Sequence, residues 1–312
     1  MTRVPRASGS ESRGTWGIVL IIVALVAAVV RLQMVRDEMA PLPQPVDSSG
    51  MMYVRSPAAI TRIALGYDAL AADLYWIRAI QHYGGTKLAG GTNTSYDQLY
   101  PLLDLATSLD PRFDIAYRFG AIFLSEQPPD GPGRPDLAIA LLRKGLDAQP
   151  SRWQFAQDIA FVYYWWVHDY MQAAEWFTRA AAIPGAPTWL KPMAAVTLAQ
   201  GGNRTSSRRL WQEIHDQADH DWLRNQATLR LEQFDAMDQI DALIRAAVDY
   251  ERRFNASPQS WGDLIRAGYL RQPPADPAGH PYVIDPARGA ITLGPKSPLN
   301  PLPLEPDRIE GR

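Results

Sequence analysis

The 312-residue chain is 46% hydrophobic and 21% charged, with a net charge of −2 at neutral pH. That balance fits a folded protein and gives nucleic-acid binding no global electrostatic support. Cysteine is absent, which excludes disulfides, thiolate metal sites and cysteine nucleophiles, and is compatible with an extracytoplasmic location.

Trp16 to Val30 is a run of fifteen residues without charge or proline. A bilayer span needs about 20 residues. Gly14 and Thr15 extend the run, Arg31 can snorkel, and Leu32, Met34 and Val35 follow. Residues 16–35 therefore read as a transmembrane anchor behind a tail at 1–15. Arg3, Arg6 and Arg13 precede the run against a single Glu11, whereas Arg31 and Arg36 are offset by Asp37 and Glu38. The positive-inside rule then puts the N-terminus in the cytoplasm and the bulk of the chain in the periplasm, as a single-pass protein of a bacterial inner membrane. A cleaved signal peptide is the competing reading, because the run is short; its small residues form no clean Ala-x-Ala site, and the anchor is preferred. Residues 36–55, with three prolines between Arg36 and Gly50, read as an extended linker.

Ser56-Pro57 marks the start of a helical domain at 56–225. Ile60, Ile63, Tyr67, Leu70, Leu74, Ile77 and Ile80 recur at spacings of three and four, which predicts an amphipathic helix or two, stopped by Gly84-Gly85. The next helix is expected from Tyr96. A repeat follows: a helix ends just before a proline, and a second begins a few residues later with aromatic and small residues. The marker prolines are Pro111, Pro150 and Pro184. The second gap is 34 residues; the first is 39 and holds the loop around Pro128 to Pro132. In "DYMQAAEWFTRAAAIP", Ala173, Phe177 and Ala180 alternate small, aromatic and small, and Pro184 closes the unit. "PDLAIALLRKGLDAQP" offers Ala138, Leu142, Gly145 and Pro150. Over roughly residues 97–215 the chain resembles tetratricopeptide-repeat proteins, whose period is about 34 residues. The resemblance implies a short α-solenoid in which neighbouring helix pairs share a core, with a concave face that takes peptides.

No Gly-rich phosphate loop, G-x-S-x-G or H-E-x-x-H occurs, so no enzyme, cofactor or metal is expected. His215 and His220 lie among acids, but a five-residue spacing suits one helical face poorly, and a polar turn is the preferred reading. Tyr163, Tyr164, Trp165 and Trp166 are consecutive, and four such residues cannot all face one core. Tyr164, Trp165 and Trp166, with Trp76, are the candidate partner contacts; filling gaps between helices is the plainer reading. Asp73 and Arg78, on a mostly apolar helix, are expected to pair across the fold.

From residue 226 the pattern changes. A long helix leads to a short one opened near Ser257-Pro258 and ended by Gly268. Turns follow in which Asp276 can accept from backbone amides and Gly279 permits a positive φ. "YVID-PARG-AITL" predicts a β-hairpin with a four-residue loop. Tyr250, Leu264, Gly268, Tyr269, Leu270, Pro274, Asp276, Pro277, Gly279, Pro281 and Tyr282 resemble the C-terminal region of type II secretion pseudopilins and related pilin-like proteins. The N-terminus lacks a pilin processing motif, which argues against a polymerising pilin. Residues 226–295 are expected to form the long helix and an α+β cap, and the Pro-rich stretch 296–312 a disordered tail ending in a tag-like Ile-Glu-Gly-Arg.

The sequence thus predicts a mostly α-helical protein: a transmembrane helix, a tetratricopeptide-like solenoid, and a small α+β cap with a β-hairpin. The expected role is a membrane-anchored scaffold holding protein or peptide partners in an envelope assembly. The alternative is a component that packs against pseudopilins.

Overall fold

A computed structural model describes residues 11–39, 57–89, 95–285 and 289–306. The chain divides into two units, 1–53 and 54–312. The first contains helix α1 (Glu11–Met39), whose side chains are described at 20–32, 34 and 35. These are apolar apart from Arg31, and all are exposed. Among the described residues no helix is long and apolar enough to cross a membrane. The expected run begins at Trp16, before the first of these side chains. Residues 40–55 of the expected linker and the first ten of the expected cytoplasmic tail lie outside the described residues.

The second unit is helical up to a small C-terminal sheet. Its helices are α2 (Pro57–Ala64), α3 (Asp68–Ala89), α4 (Leu99–Leu109), α5 (Asp114–Ser125), α6 (Pro135–Ala148), α7 (Trp153–Val162), α8 (Tyr170–Ala182), α9 (Leu190–Gln200), α10 (Arg204–Gln217), α11 (Asp221–Phe254) and α12 (Trp261–Arg266). From α3 to α11 each helix packs mainly on its neighbours in sequence, as expected where local pairs stack. Two boundaries differ from expectation. α3 runs through Gly84-Gly85 to Ala89, since two glycines weaken a helix without ending it when the flanks pack. The helix expected from Tyr96 starts at Leu99, and Tyr96 donates its hydroxyl to the Asp130 carbonyl at 3.1 Å instead.

The core follows from small residues that let helices approach. On α5, Ala116, Tyr117, Gly120, Ala121 and Leu124 are buried; on α6, Ala138, Leu141, Leu142 and Gly145. A Cβ at Gly120 would stand 2.9 Å from Leu103, and one at Gly145 would stand 3.0 Å from the Tyr117 ring and 3.3 Å from Phe155. The Tyr117 and Phe155 rings meet edge to face at 5.3 Å, and the Tyr117 hydroxyl donates to the Thr107 carbonyl at 3.2 Å. Burial pushes that phenol up to about 12. Ala173, Phe177 and Ala180 on α8 are also fully buried, so the small–aromatic–small spacing that carries the repeat resemblance points into the core.

The C-terminal end also departs from expectation. α11 is continuous across the anticipated boundary at 225/226. Strands β1 (Val283–Asp285) and β2 (Ala290–Thr292) pair antiparallel, with Ile284 opposite Ile291, as the hairpin reading expects. Ser260 and Asp263 form a capping box on α12, and Gly268 and Gly279 adopt positive φ. Asp276 accepts from the His280 amide at 2.8 Å. Tyr282 and Ile291 pack beneath α11 with Leu243, and the Tyr282 hydroxyl donates to Gln239 at 2.7 Å.

The expected disordered tail is a correction: residues 296–306 are ordered against α11. Leu299 is buried, and the Gln233 amide donates to the carbonyls of Leu299 and Pro301, both at 2.9 Å. Glu305 is held by Arg204 of α10 at 2.6 and 2.8 Å, and Arg204 also reaches Asp238 and Asp241 of α11. The Glu305 carboxylate, ahead of Asp238 and Asp241, holds Arg204 charged well above its ordinary range. Proline-rich composition signals disorder only where nothing supplies the missing donors; here Gln233 and Arg204 supply them. The Ile-Glu-Gly-Arg ending lies outside the described residues.

Two glycine substitutions separate close approach from helix propensity. Gly145→Val forces a branched side chain into the Tyr117–Phe155 contact and should cost about 1–3 kcal/mol of unfolding free energy in urea titrations. At Gly85 nothing lies within 4 Å of a Cβ, so Gly85→Ala should add about 0.5–1 kcal/mol.

Candidate functional site

The four consecutive aromatics end α7 in a π-helical turn, Tyr163–Val167, in which the His168 amide donates back to the Tyr163 carbonyl. One more residue per turn changes the directions in which successive side chains leave the axis. None of the five is buried. His168 then takes a left-handed conformation, and Asp169 restarts the chain as the N-cap of α8, accepting from the Gln172 amide at 3.0 Å.

The turn divides the expected contact residues. Tyr164 points to a helix seam: its hydroxyl donates to Gln200 of α9 at 2.7 Å, and its ring meets Tyr170 edge to face. Trp166 is half-buried and Trp165 is 60% exposed, and both line a groove between α5 and α7. Trp76 lies elsewhere, stacked on Phe123 at 5.9 Å and edge-on to Phe113, so it joins α3 to α5 and is not part of the groove. The structure brings Trp165 and Trp166 together and leaves Tyr164 and Trp76 in packing roles.

The groove has a volume of about 360 Å³. Its other apolar wall was not singled out in the sequence. Phe119 and Ile122 of α5 are about half exposed, and Ile115 continues the same stripe. The spacing i, i+4, i+7 is legible in "DIAYRFGAIFL" as a second apolar stripe beside the core one, too many apolar residues for one buried face. Phe161 of α7 faces the groove and packs edge-on against buried Phe177 at 5.1 Å.

One ion pair sits among these walls. Arg118 of α5 holds Asp158 of α7 in a two-pronged contact, Nε to Oδ2 at 2.5 Å and Nη2 to Oδ1 at 3.2 Å. Asp158 is the deeper partner, and burial lifts its carboxyl above the ordinary carboxylate range despite the guanidinium. Arg118, more exposed, is held charged by its hydrogen bond to Asp158. A groove with apolar walls and an internally neutralised floor offers contact area without net charge.

The remaining sequence candidates lie apart from the groove. His215 contacts its neighbour Asp216 at 3.1 Å, and His220 is exposed at the start of α11. Among the described residues no group of three or more His, Cys, Asp or Glu is placed to hold a metal. Asp73 is exposed, and Arg78 lies 5.3 Å from the centre of the Tyr75 ring.

Arg118→Met strands a largely buried carboxylate and should destabilise the fold by about 2–3 kcal/mol near neutral pH. The sign follows from Asp158: a folded pKa raised above the unfolded value favours the folded state as protons bind. The deficit should therefore shrink as pH is lowered toward about 4, and the double variant Arg118→Met/Asp158→Leu should recover most of it. Urea titrations at several pH values read both effects.

No family model, no curated protein and no solved structure matches this chain.

Proposed function

We propose that this protein is a membrane-anchored scaffold whose helical domain binds an apolar segment of a partner protein in the groove between α5 and α7. One observation carries the proposal: Phe119, Ile122, Trp165 and Trp166 converge on one open groove, and they are large apolar side chains that a folded domain normally covers. Tryptophan and phenylalanine dominate binding energy at protein interfaces, where they fill desolvated pockets. The Arg118–Asp158 pair satisfies itself, so the fitting partner presents aliphatic or aromatic side chains and needs no charge opposite the groove.

The stacked helix pairs favour a binding role, since repeat surfaces commonly take extended peptides. The small–aromatic–small spacing at Ala173, Phe177 and Ala180 supports a tetratricopeptide-like reading of those pairs. An anchor at α1 is supported by its unbroken apolar surface: the helix shows no polar face between Leu20 and Val30. Residues 16–35 would span about 30 Å as helix, the thickness of a hydrocarbon core. The charge bias around that run supports a cytoplasmic N-terminus and a periplasmic domain in a bacterial inner membrane. The turn chemistry behind the pseudopilin resemblance is used here to cover the apolar face of α11, and no observation adds a pseudopilin contact.

The test is a random-peptide display selection against the full chain in lipid nanodiscs, followed by affinities for synthetic copies of the enriched peptides. Enrichment of aliphatic and aromatic sequences is expected, with binding weakened about 10- to 100-fold by Trp165→Ala and by Phe119→Ala. Trp222→Ala, at a still more exposed indole on α11, should leave affinity unchanged. Peptides that bind the Trp165 and Phe119 variants as well as the parent would place the surface elsewhere.

A further inference from the structure

A second cavity, of about 260 Å³, lies between α9, α10, α11 and the tail segment 301–304. Its walls are mainly apolar, with Val196, Phe234 and Leu302 among them. Three polar side chains belong to its lining; Gln200 accepts from the Tyr164 hydroxyl at 2.7 Å, and the other two are not matched in the usual way. The Trp211 indole is 3% exposed, and its Nε1 is buried with no hydrogen-bond partner among the described residues. Arg230 is half-buried, and its only described hydrogen bond runs from Nη1 to the neutral Oε1 of Gln233 at 2.8 Å.

The contrast with the neighbouring arginines is direct. Arg204 and Arg208 are matched by Glu305, Asp235, Asp238 and Asp241. Arg230 has no such acid among the described residues, and burial alone lowers its pKa. A half-buried cation with no acid opposite it is costly beside apolar walls. One anion in the cavity would match the charge of Arg230 and accept from its guanidinium.

We propose that this cavity binds a small apolar monocarboxylate, with Arg230 as its counter-charge and Val196, Trp211, Phe234 and Leu302 around its hydrocarbon. The charge count selects one negative charge, because Arg230 is the one cation among the described residues that line the cavity. A planar guanidinium suits a carboxylate, which it can hold through two parallel hydrogen bonds. The volume lies below the roughly 300–1,000 Å³ of drug-sized sites, so the ligand is small. The site is separate from the α5–α7 groove and does not depend on that groove being occupied.

The probe is hexanoate, with hexanamide as its neutral counterpart of the same shape. The full chain in lipid nanodiscs, labelled with 5-fluorotryptophan, reports binding at Trp211 through its fluorine resonance, assigned by Trp211→Phe. Hexanoate should move that resonance saturably and bind at least ten-fold more tightly than hexanamide. Arg230→Met should remove this preference, Arg230→Gln should do the same, and circular dichroism checks that both remain folded. N-acetyl-leucine, which mimics a peptide C-terminus, distinguishes the two sources of such a carboxylate: tighter binding than hexanoate identifies a chain end, weaker binding a free acid. Equal affinity for hexanoate and hexanamide, no shift with any acid, or a preference that survives Arg230→Met would overturn the assignment.

Discussion

The helical domain depends on how closely α5, α6 and α7 approach one another around Tyr117. Gly145 presents bare backbone to that ring, and Gly120 does the same to Leu103. No side chain fits at either point without displacing its neighbour, so the helix spacing is set there. Lys144 extends the constraint to α4 by reaching the Asp104 carboxylate at 2.6 Å and the hydroxyls of Thr107 and Ser108. Helix pairs that could not bury an apolar face alone share one through these contacts.

That spacing also creates the groove. With α5 and α7 fixed by their shared contact on Gly145, the core stripe of α5 is fully used, and Ile115, Phe119 and Ile122 are left on its outer side. The π turn then brings Trp165 and Trp166 to the facing wall while Tyr164 closes the seam to α9. Packing and binding surface thus come from neighbouring residues of the same helices. The Arg118–Asp158 pair crosses between them and resists a change in their separation, because parting it would strand a buried acid.

Much of this was legible in the sequence because it is local. The 34-residue gap between Pro150 and Pro184, the small–aromatic–small spacing on α8, the glycine that ends α12 and the hairpin all report on contacts within one helix pair or turn, whereas the start of α12 is capped by Ser260 and not at the expected Ser257-Pro258. The aromatic run was legible as a conflict, since four rings cannot share one face; the π turn that resolves it was not, because it depends on where α8 and α9 stand. Tyr164 and Trp76 take the plainer role of filling gaps between helices, and the sequence could not sort them from Trp165 and Trp166, because an aromatic reads alike whether it meets solvent or a helix far along the chain. The tail misled most. Its prolines signal disorder, while the donors that order it come from Gln233 and Arg204, about 65 and 100 residues earlier.

The tail also completes the fold at its far end. Leu299 and Leu302 cover α11 together with the hairpin, so the last long helix does not end the stack with an open apolar face. Stability should then be graded along the chain, greatest where three helices meet at Tyr117. Native-state hydrogen exchange on the full chain tests this directly. The slowest amides should lie in α5, α6 and α7, with protection declining toward α2 and α3 on one side and toward α12 and the tail on the other. Slowest exchange in α11 and the cap, with α5 to α7 opening first, would contradict the account.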